Sequence, residues 1–323
     1  MSARLRTVIV MLAFGLLLAP LTSGAQEPAK IPRVGVLLPA GPPPLEAFRR
    51  GLGELGYIEG RNIVLESRMA QGQYDRLPDL AAELVRLKVD VIALVGAVTA
   101  RAAKKATTNI PIIFAVVVDP VADDVVGNLQ RPGGNVTGIT SFDPQQPRKQ
   151  LELLKEAIPG LVRVALLGDK GVSDFLLKAN EEAARGLGLQ PQGLKVAGPN
   201  PDLEGAFASI RKERAGAVVI LAEPIVLVHR RRIAEMAATY RLPTMFPGEW
   251  ADAGGLIAYG TSVLEAVQRM AGYVDKVLKG AKPGDLPVGV VTRHELIINL
   301  KTAHEIGVTI PPEVLKRADQ VIQ

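Results

Sequence analysis

The feature that most constrains this chain is its repeated alternation of short aliphatic strands with amphipathic helices. Arg33 to Leu38 reads as a strand closed by Pro39, after which Leu45, Phe48, Leu52 and Leu55 recur at spacings of three and four up to Gly56. Residues 62–69 give a second strand, and Leu77, Leu80, Ala81, Leu84 and Val85 mark a second helix. Residues 89–95 form a continuous apolar strand ended by Gly96. A helix over about 99–107 and a buried strand over 112–118 follow, ending at Asp119-Pro120. After the turn-rich Arg131-Pro132-Gly133-Gly134-Asn135 the pattern restarts. It then runs through strands near 163–167, 192–196, 217–221 and 243–245, with helices between them. Unbroken aliphatic runs belong to strands buried on both faces, and strand–helix alternation with right-handed crossovers supplies helices to both. Only 4% of residues are aromatic although 48% are hydrophobic, so Ala, Val, Leu and Ile carry the core, as such sheets require.

Two blocks of similar size predict an α/β chain with two doubly wound, Rossmann-like lobes. The tail is too small for a third domain. It contains a long amphipathic helix over 263–278, a Pro283-Gly284 break and a strand over 295–300. It therefore revisits both lobes and makes a multi-strand hinge. The expected division is 31–140 plus about 262–285 for the N-terminal lobe, and 141–261 plus about 286–323 for the C-terminal lobe.

The first 25 residues have their own logic. Arg4 and Arg6 precede an apolar run from Val8 to Pro20, and Ser23-Gly24-Ala25 supplies small residues. A run of about 13 residues is short of the roughly 20 that span a bilayer. Basic, apolar and small-residue parts in this order predict a secretory signal peptide cleaved after Ala25, and a periplasmic mature protein. The chain has no cysteine, which removes disulfides, thiolate catalysis and lipid attachment. Its 38 Lys and Arg against 33 Asp and Glu are spread along the sequence, which leaves no nucleic-acid footprint. The one tight basic run, Arg230-Arg231-Arg232, falls in a predicted helix and reads as a solvated face. His229, His294 and His304 lie away from predicted strand ends. There is no Gly-x-Ser-x-Gly, phosphate-binding loop or dinucleotide fingerprint, so an enzyme, a metal and a cofactor are not expected.

Several segments together resemble the substrate-binding proteins of ABC transporters related to the tryptophan-binding TrpX type. They are Leu52 to Ile63 (LGELGYIEGRNI), Arg131 to Gly138 (RPGGNVTG), Ala253-Gly254-Gly255-Leu256 with Tyr259-Gly260, Leu278 to Pro283, Asn299 to Ala303, and Arg317-Ala318-Asp319. The resemblance spans the mature chain. It implies the type I periplasmic-binding-protein fold, a small-molecule solute held between the lobes, an inner-membrane ABC permease as partner, and action as a monomer. A periplasmic sensor reporting to a membrane receptor would use the same hinged clam.

In such sheets ligands bind beyond the carboxyl ends of the strands. The candidate ligand-binding residues are Pro39, Ala40, Ala97, Val98, Thr99 and Asp119 in the first lobe, Asp169, Glu223 and Trp250 in the second, and Ser141 and Tyr259 near the hinge. Gly96 to Thr99 opens a helix whose free N–H groups attract a carboxylate. Family members usually carry Thr-Pro where this chain has Ala97-Val98, so either Thr99 or the backbone alone must serve. Asp119 and Glu223 are each able to hold a ligand ammonium or to start the following helix. Asp169 stands where relatives often have Asn-Pro. Trp250 and Tyr259 are each able to stack on a flat ligand or to pack in the core. The expected solute is an amino acid or similar small carboxylate, with an aromatic one among the options.

Overall fold

The computed structural model describes residues 30–141, 143–248 and 250–323, so the signal-peptide reading lies outside the described residues. The chain from Pro32 onward opens with β1 (Arg33–Leu38), α1 (Pro43–Glu54), β2 (Val64–Met69), α2 (Leu77–Arg86), β3 (Val91–Val95), α3 (Ala97–Ala106), β4 (Ile112–Ala115) and β5 (Val136–Thr140). It continues with α4 (Gln146–Ala157), β6 (Arg163–Asp169), α5 (Phe175–Gly186), β7 (Gln190–Val196), α6 (Leu203–Lys212), β8 (Ala217–Ile220), α7 (Pro224–Val228), α8 (Arg230–Thr239), β9 (Thr244–Pro247) and β10 (Ile257–Thr261). The tail comprises α9 (Val263–Leu278), β11 (Gly289–Val290), β12 (His294–Asn299), α10 (Leu300–Ile306), α11 (Pro312–Leu315) and β13 (Gln320–Ile322).

Two sheets result. The first has the order β11-β5-β4-β3-β1-β2 and is parallel throughout. Its strands β1, β3, β4 and β5 are buried on both faces, and the period of two sorts their side chains. Ile92 and Leu94 of β3 pack with α2 and α3, while Val91, Ala93 and Val95 pack with α1 and α9. Removing one such side chain, as in Leu94→Ala, costs about 2–5 kcal/mol because the vacated space cannot close completely. The second sheet has the order β13-β12-β10-β9-β8-β6-β7. Val164 and Leu166 of β6 face the core with α4 and α5, whereas Ala165 and Leu167 face α6, α7 and α8.

The chain passes from one sheet to the other between β5 and α4, at Ser262 and at 291–293. Ser262 caps α9, accepting the Glu265 N–H at 3.0 Å, and so sets where that helix starts on the first sheet. The last passage falls after Val290 rather than near residue 285, because β11 pairs with β5. Two side chains hold the intervening segment on the first sheet. Thr137 Oγ1 donates to the Leu286 carbonyl at 2.7 Å, and Tyr273 Oη donates to that of Pro287 at 2.9 Å. The chain re-enters the second sheet from the hinge side, so β12 runs antiparallel to β10.

One strand stops earlier than its composition predicts. The aliphatic run continues to Val118, but β4 ends at Ala115 because Val116 takes φ +59°, a conformation that a β-branched residue rarely adopts. The turn sends Val116 and Val118 into the cleft instead of into the sheet.

Candidate functional site

Two adjoining cavities, of about 350 and 270 Å³, lie between the carboxyl ends of the two sheets. Pro39, Ala40, Gly96, Ala97 and Val98 line the first cavity from one side. Val172, Glu223, Leu227, Arg230 and Trp250 line it from the other.

The first-lobe wall presents backbone at the start of α3, with the Arg101–Asp123 pair beside it. Gly96 has φ +84°, which turns the chain sharply from β3 into α3. The first intrahelical bond runs from the Ala100 N–H to the Gly96 carbonyl at 3.2 Å, so the N–H groups of Ala97, Val98 and Thr99 precede the ladder at the cavity wall. Among the described residues, no side chain caps this helix. Its positive end and free donors therefore suit a carboxylate. The Thr99 hydroxyl does not take part. It is fully buried and directed at the carbonyls of Val95 and Gly96, the latter at 2.6 Å.

The second-lobe wall presents buried side chains. Glu223 is only 3% exposed. Its Oε2 accepts the Asp169 N–H, while its Oε1 is shielded from solvent and has no partner. Burial pushes this carboxyl up to about 7, against the opposing pull of the Asp169 N–H bond. Asp169 is itself satisfied. It accepts the N–H of Ile225 at 3.0 Å, the N–H of Gly171 at 2.8 Å, and the hydroxyl of Tyr74.

That last bond joins the lobes at the lip of the cleft, because Tyr74 belongs to the turn after β2. The Tyr74 ring lies against Gly171, where a Cβ would sit 2.2 Å from the ring; only glycine admits this approach. Burial first, and then the Asp169 carboxylate, raise the Tyr74 phenol above its ordinary range. It therefore stays protonated and donates.

Trp250 is 6% exposed and packs its ring among the apolar residues of the second lobe, with its Nε1 lacking a partner. The Arg230 guanidinium sits 4.4 Å above that ring and donates to the Leu227 carbonyl at 3.0 Å. Arg230 thus leaves the solvated face on which the sequence puts the triple arginine. Arg231 and Arg232 remain exposed, Arg232 pairing with Glu204.

Of the residues singled out from the sequence, Pro39, Ala40, Ala97, Val98, Glu223 and Trp250 line the first cavity, and Ser141 lines the second. Four line neither. Thr99 turns its hydroxyl into the core. Asp119 closes its own turn, Oδ1 accepting the N–H groups of Val121 at 3.1 Å and Ala122 at 2.9 Å, so this carboxylate is engaged locally. Asp169 stands behind Glu223. Tyr259 stacks on His294 with ring centroids 5.5 Å apart, and its carbonyl accepts from Gln150 Nε2, so it fills the hinge. Sequence reasoning missed Tyr74, Arg230, and the pair Arg101–Asp123 (3.1 Å) on the cavity wall. Tyr74 follows the carboxyl end of β2, a strand end that the same rule would have included.

Comparison with known proteins adds a second line. The model of the family described as ABC transporter substrate binding protein matches residues 42–322. A tyrosine-binding protein of Clostridioides difficile (strain R20291) is 26% identical over 271 residues, which are 80% of this chain and 74% of that protein. A conserved domain protein from Vibrio cholerae O1 biovar El Tor has a solved structure with a TM-score of 0.84 at 28% identity, covering 90% of this chain and 100% of that one. The ABC domain from Streptococcus pneumonia in complex with L-Trp superposes with a TM-score of 0.81 at 25% identity, covering 90% and 99%. The architecture is that of type I periplasmic binding proteins, a family and fold of solute binding rather than catalysis.

Proposed function

We propose that this chain, which belongs to the ABC transporter substrate-binding protein family, captures an amino acid with a large apolar or aromatic side chain and delivers it to the permease of an ABC importer. One observation carries the reading. A buried glutamate with an unpartnered oxygen shares an apolar cavity with the uncapped N-terminus of α3. An α-amino acid complements that pair. Its carboxylate meets the N–H groups of Ala97 to Thr99, its ammonium meets Glu223 Oε1, and its side chain fills the space between Pro39, Val98, Leu227 and Trp250. The solute would touch both lobes, so binding favours the arrangement in which they meet. The relatives that bind L-Trp and tyrosine support this choice of solute. The signal-like first 25 residues support action outside the cytoplasmic membrane.

The test is isothermal titration of the purified protein with L-tryptophan, L-tyrosine, L-phenylalanine and L-leucine, each beside analogues lacking the amino or the carboxyl group. Loss of either group is expected to weaken binding by at least about tenfold, the cost of one charge-assisted hydrogen bond. Equal binding of the deaminated analogues would remove Glu223 from the site. Transport is read separately, as solute uptake by vesicles bearing the permease with and without the protein.

A further inference from the structure

We infer that the bound solute extends past the first cavity into the second, where the side-chain oxygen of Asn180 receives a hydrogen-bond donor carried at the solute's far end. This deepens the amino-acid reading and rests on it for the near end of the ligand.

The two cavities adjoin. Val116, Val118, Phe175, Leu176, Ala222 and Val263 line both. Asn180 lies one turn beyond Leu176 on α5, about 6 Å further along the helix axis, and lines only the second cavity. It is 3% exposed. Its Nδ2 donates to the Leu176 carbonyl at 2.8 Å. That bond fixes which way the amide faces, since only the NH₂ end is able to donate to a carbonyl. Oδ1 is therefore a true acceptor, and it is shielded from solvent without a partner. Buried polar atoms in folded proteins are almost always paired, so an unpaired acceptor on a residue that lines an open space asks for a donor from outside the chain.

The charges around the cavity narrow the donor's class. Among the described residues, the ionisable ones lining it are Asp143 and Glu182, with no lysine, arginine or histidine. Asp143 pairs with His294 from behind at 2.9 Å. A second carboxylate or a phosphate would meet acids and an amide oxygen, with no cation to receive it. A hydroxyl, phenol or amine is accepted. The structure thus assigns the solute to elongated amino acids whose apolar body ends in an uncharged or cationic donor, and places those ending in a methyl group or a second acid outside the class.

The experiment compares matched pairs by isothermal titration: L-tyrosine with L-phenylalanine, and 6-hydroxynorleucine with norleucine. The donor-bearing member is expected to bind at least about tenfold tighter. Asn180→Leu should bring both ratios close to one and leave the donor-free members within about threefold of wild type. Equal affinities in the wild-type protein, or ratios unchanged in N180L, overturn the inference. A second measurement needs neither the variant nor the α-amino and carboxylate anchors. It follows the Asn180 side-chain NH₂ resonances by nitrogen-15 NMR during titration with 4-cresol and with toluene. Cresol alone should shift them; no shift with cresol overturns the inference. If cresol shifts Asn180 but no amino acid binds, the amino-acid reading and the assignment to elongated amino acids fall, and the Asn180 donor site stands. If amino acids bind without donor preference, the reverse holds.

Discussion

The two walls of the first cavity would meet the proposed solute with different parts of the chain. The first-lobe wall offers N–H groups at the start of α3 beside the Arg101–Asp123 ion pair, while the hydroxyl of Thr99 faces away into the core. The second-lobe wall offers Glu223, Trp250 and Arg230, all from side chains. A backbone site depends on where the helix starts and little on which residues start it, so the proposed carboxylate site does not need particular side chains at Ala97 and Val98. A side-chain site depends on one residue and on its protonation. The contrast means that mutations on the two sides should behave very differently.

The largest effect should follow from Glu223→Gln. Replacing a charged acceptor by a neutral amide is expected to weaken amino-acid binding by about 100-fold, from the 1.5–3 kcal/mol attached to charged hydrogen bonds. Carboxylates without an ammonium should be little affected, and titration calorimetry with both classes reads the difference.

The pH dependence comes next and has a definite sign. The Glu223 carboxyl is pushed up to about 7 in the folded protein, well above its ordinary value of 4.5. Binding an ammonium requires the ionised form, so affinity should fall about fivefold between pH 7 and pH 6. The solute-free protein should show the opposite trend. The folded state holds the proton more tightly than the unfolded chain, so this residue makes stability decline as pH rises from about 4.5 to 7, by at most about 3 kcal/mol. Urea denaturation at intervals across that window measures it. The E223Q variant should flatten both curves.

Tyr74→Phe removes the only hydroxyl in the lip contact with Asp169. Amino-acid affinity is expected to fall about fivefold, because one hydrogen bond, worth about 1 kcal/mol, is lost from the state in which the lobes meet. The loss should be of similar size for every solute, unlike that of E223Q. The smallest effect is expected for Ala97→Ser, less than about threefold in affinity, since the backbone donors stay in place. A large loss there would break the comparison and move carboxylate recognition to side chains.

The sequence alone determined the architecture. Period-two burial in strands such as Val91–Val95 and period-3.6 patterns in helices such as Val263–Leu278 follow from local chemistry, and the strand-end rule pointed to Pro39, Ala97, Val98, Glu223 and Trp250. Other residues became functional candidates only through partners distant in the chain. Asp169 meets Tyr74 across 95 positions and supports Glu223 across 54, while Arg230 climbs onto Trp250. Asp119 and Tyr259 sit at strand positions as suggestive as that of Glu223, yet a local turn satisfies the first and His294 covers the second. Periodicity places a side chain on a face of its own element. Whether that side chain is paired, buried or left waiting for a solute is settled by what the rest of the fold brings against it, and only the tertiary structure holds that information.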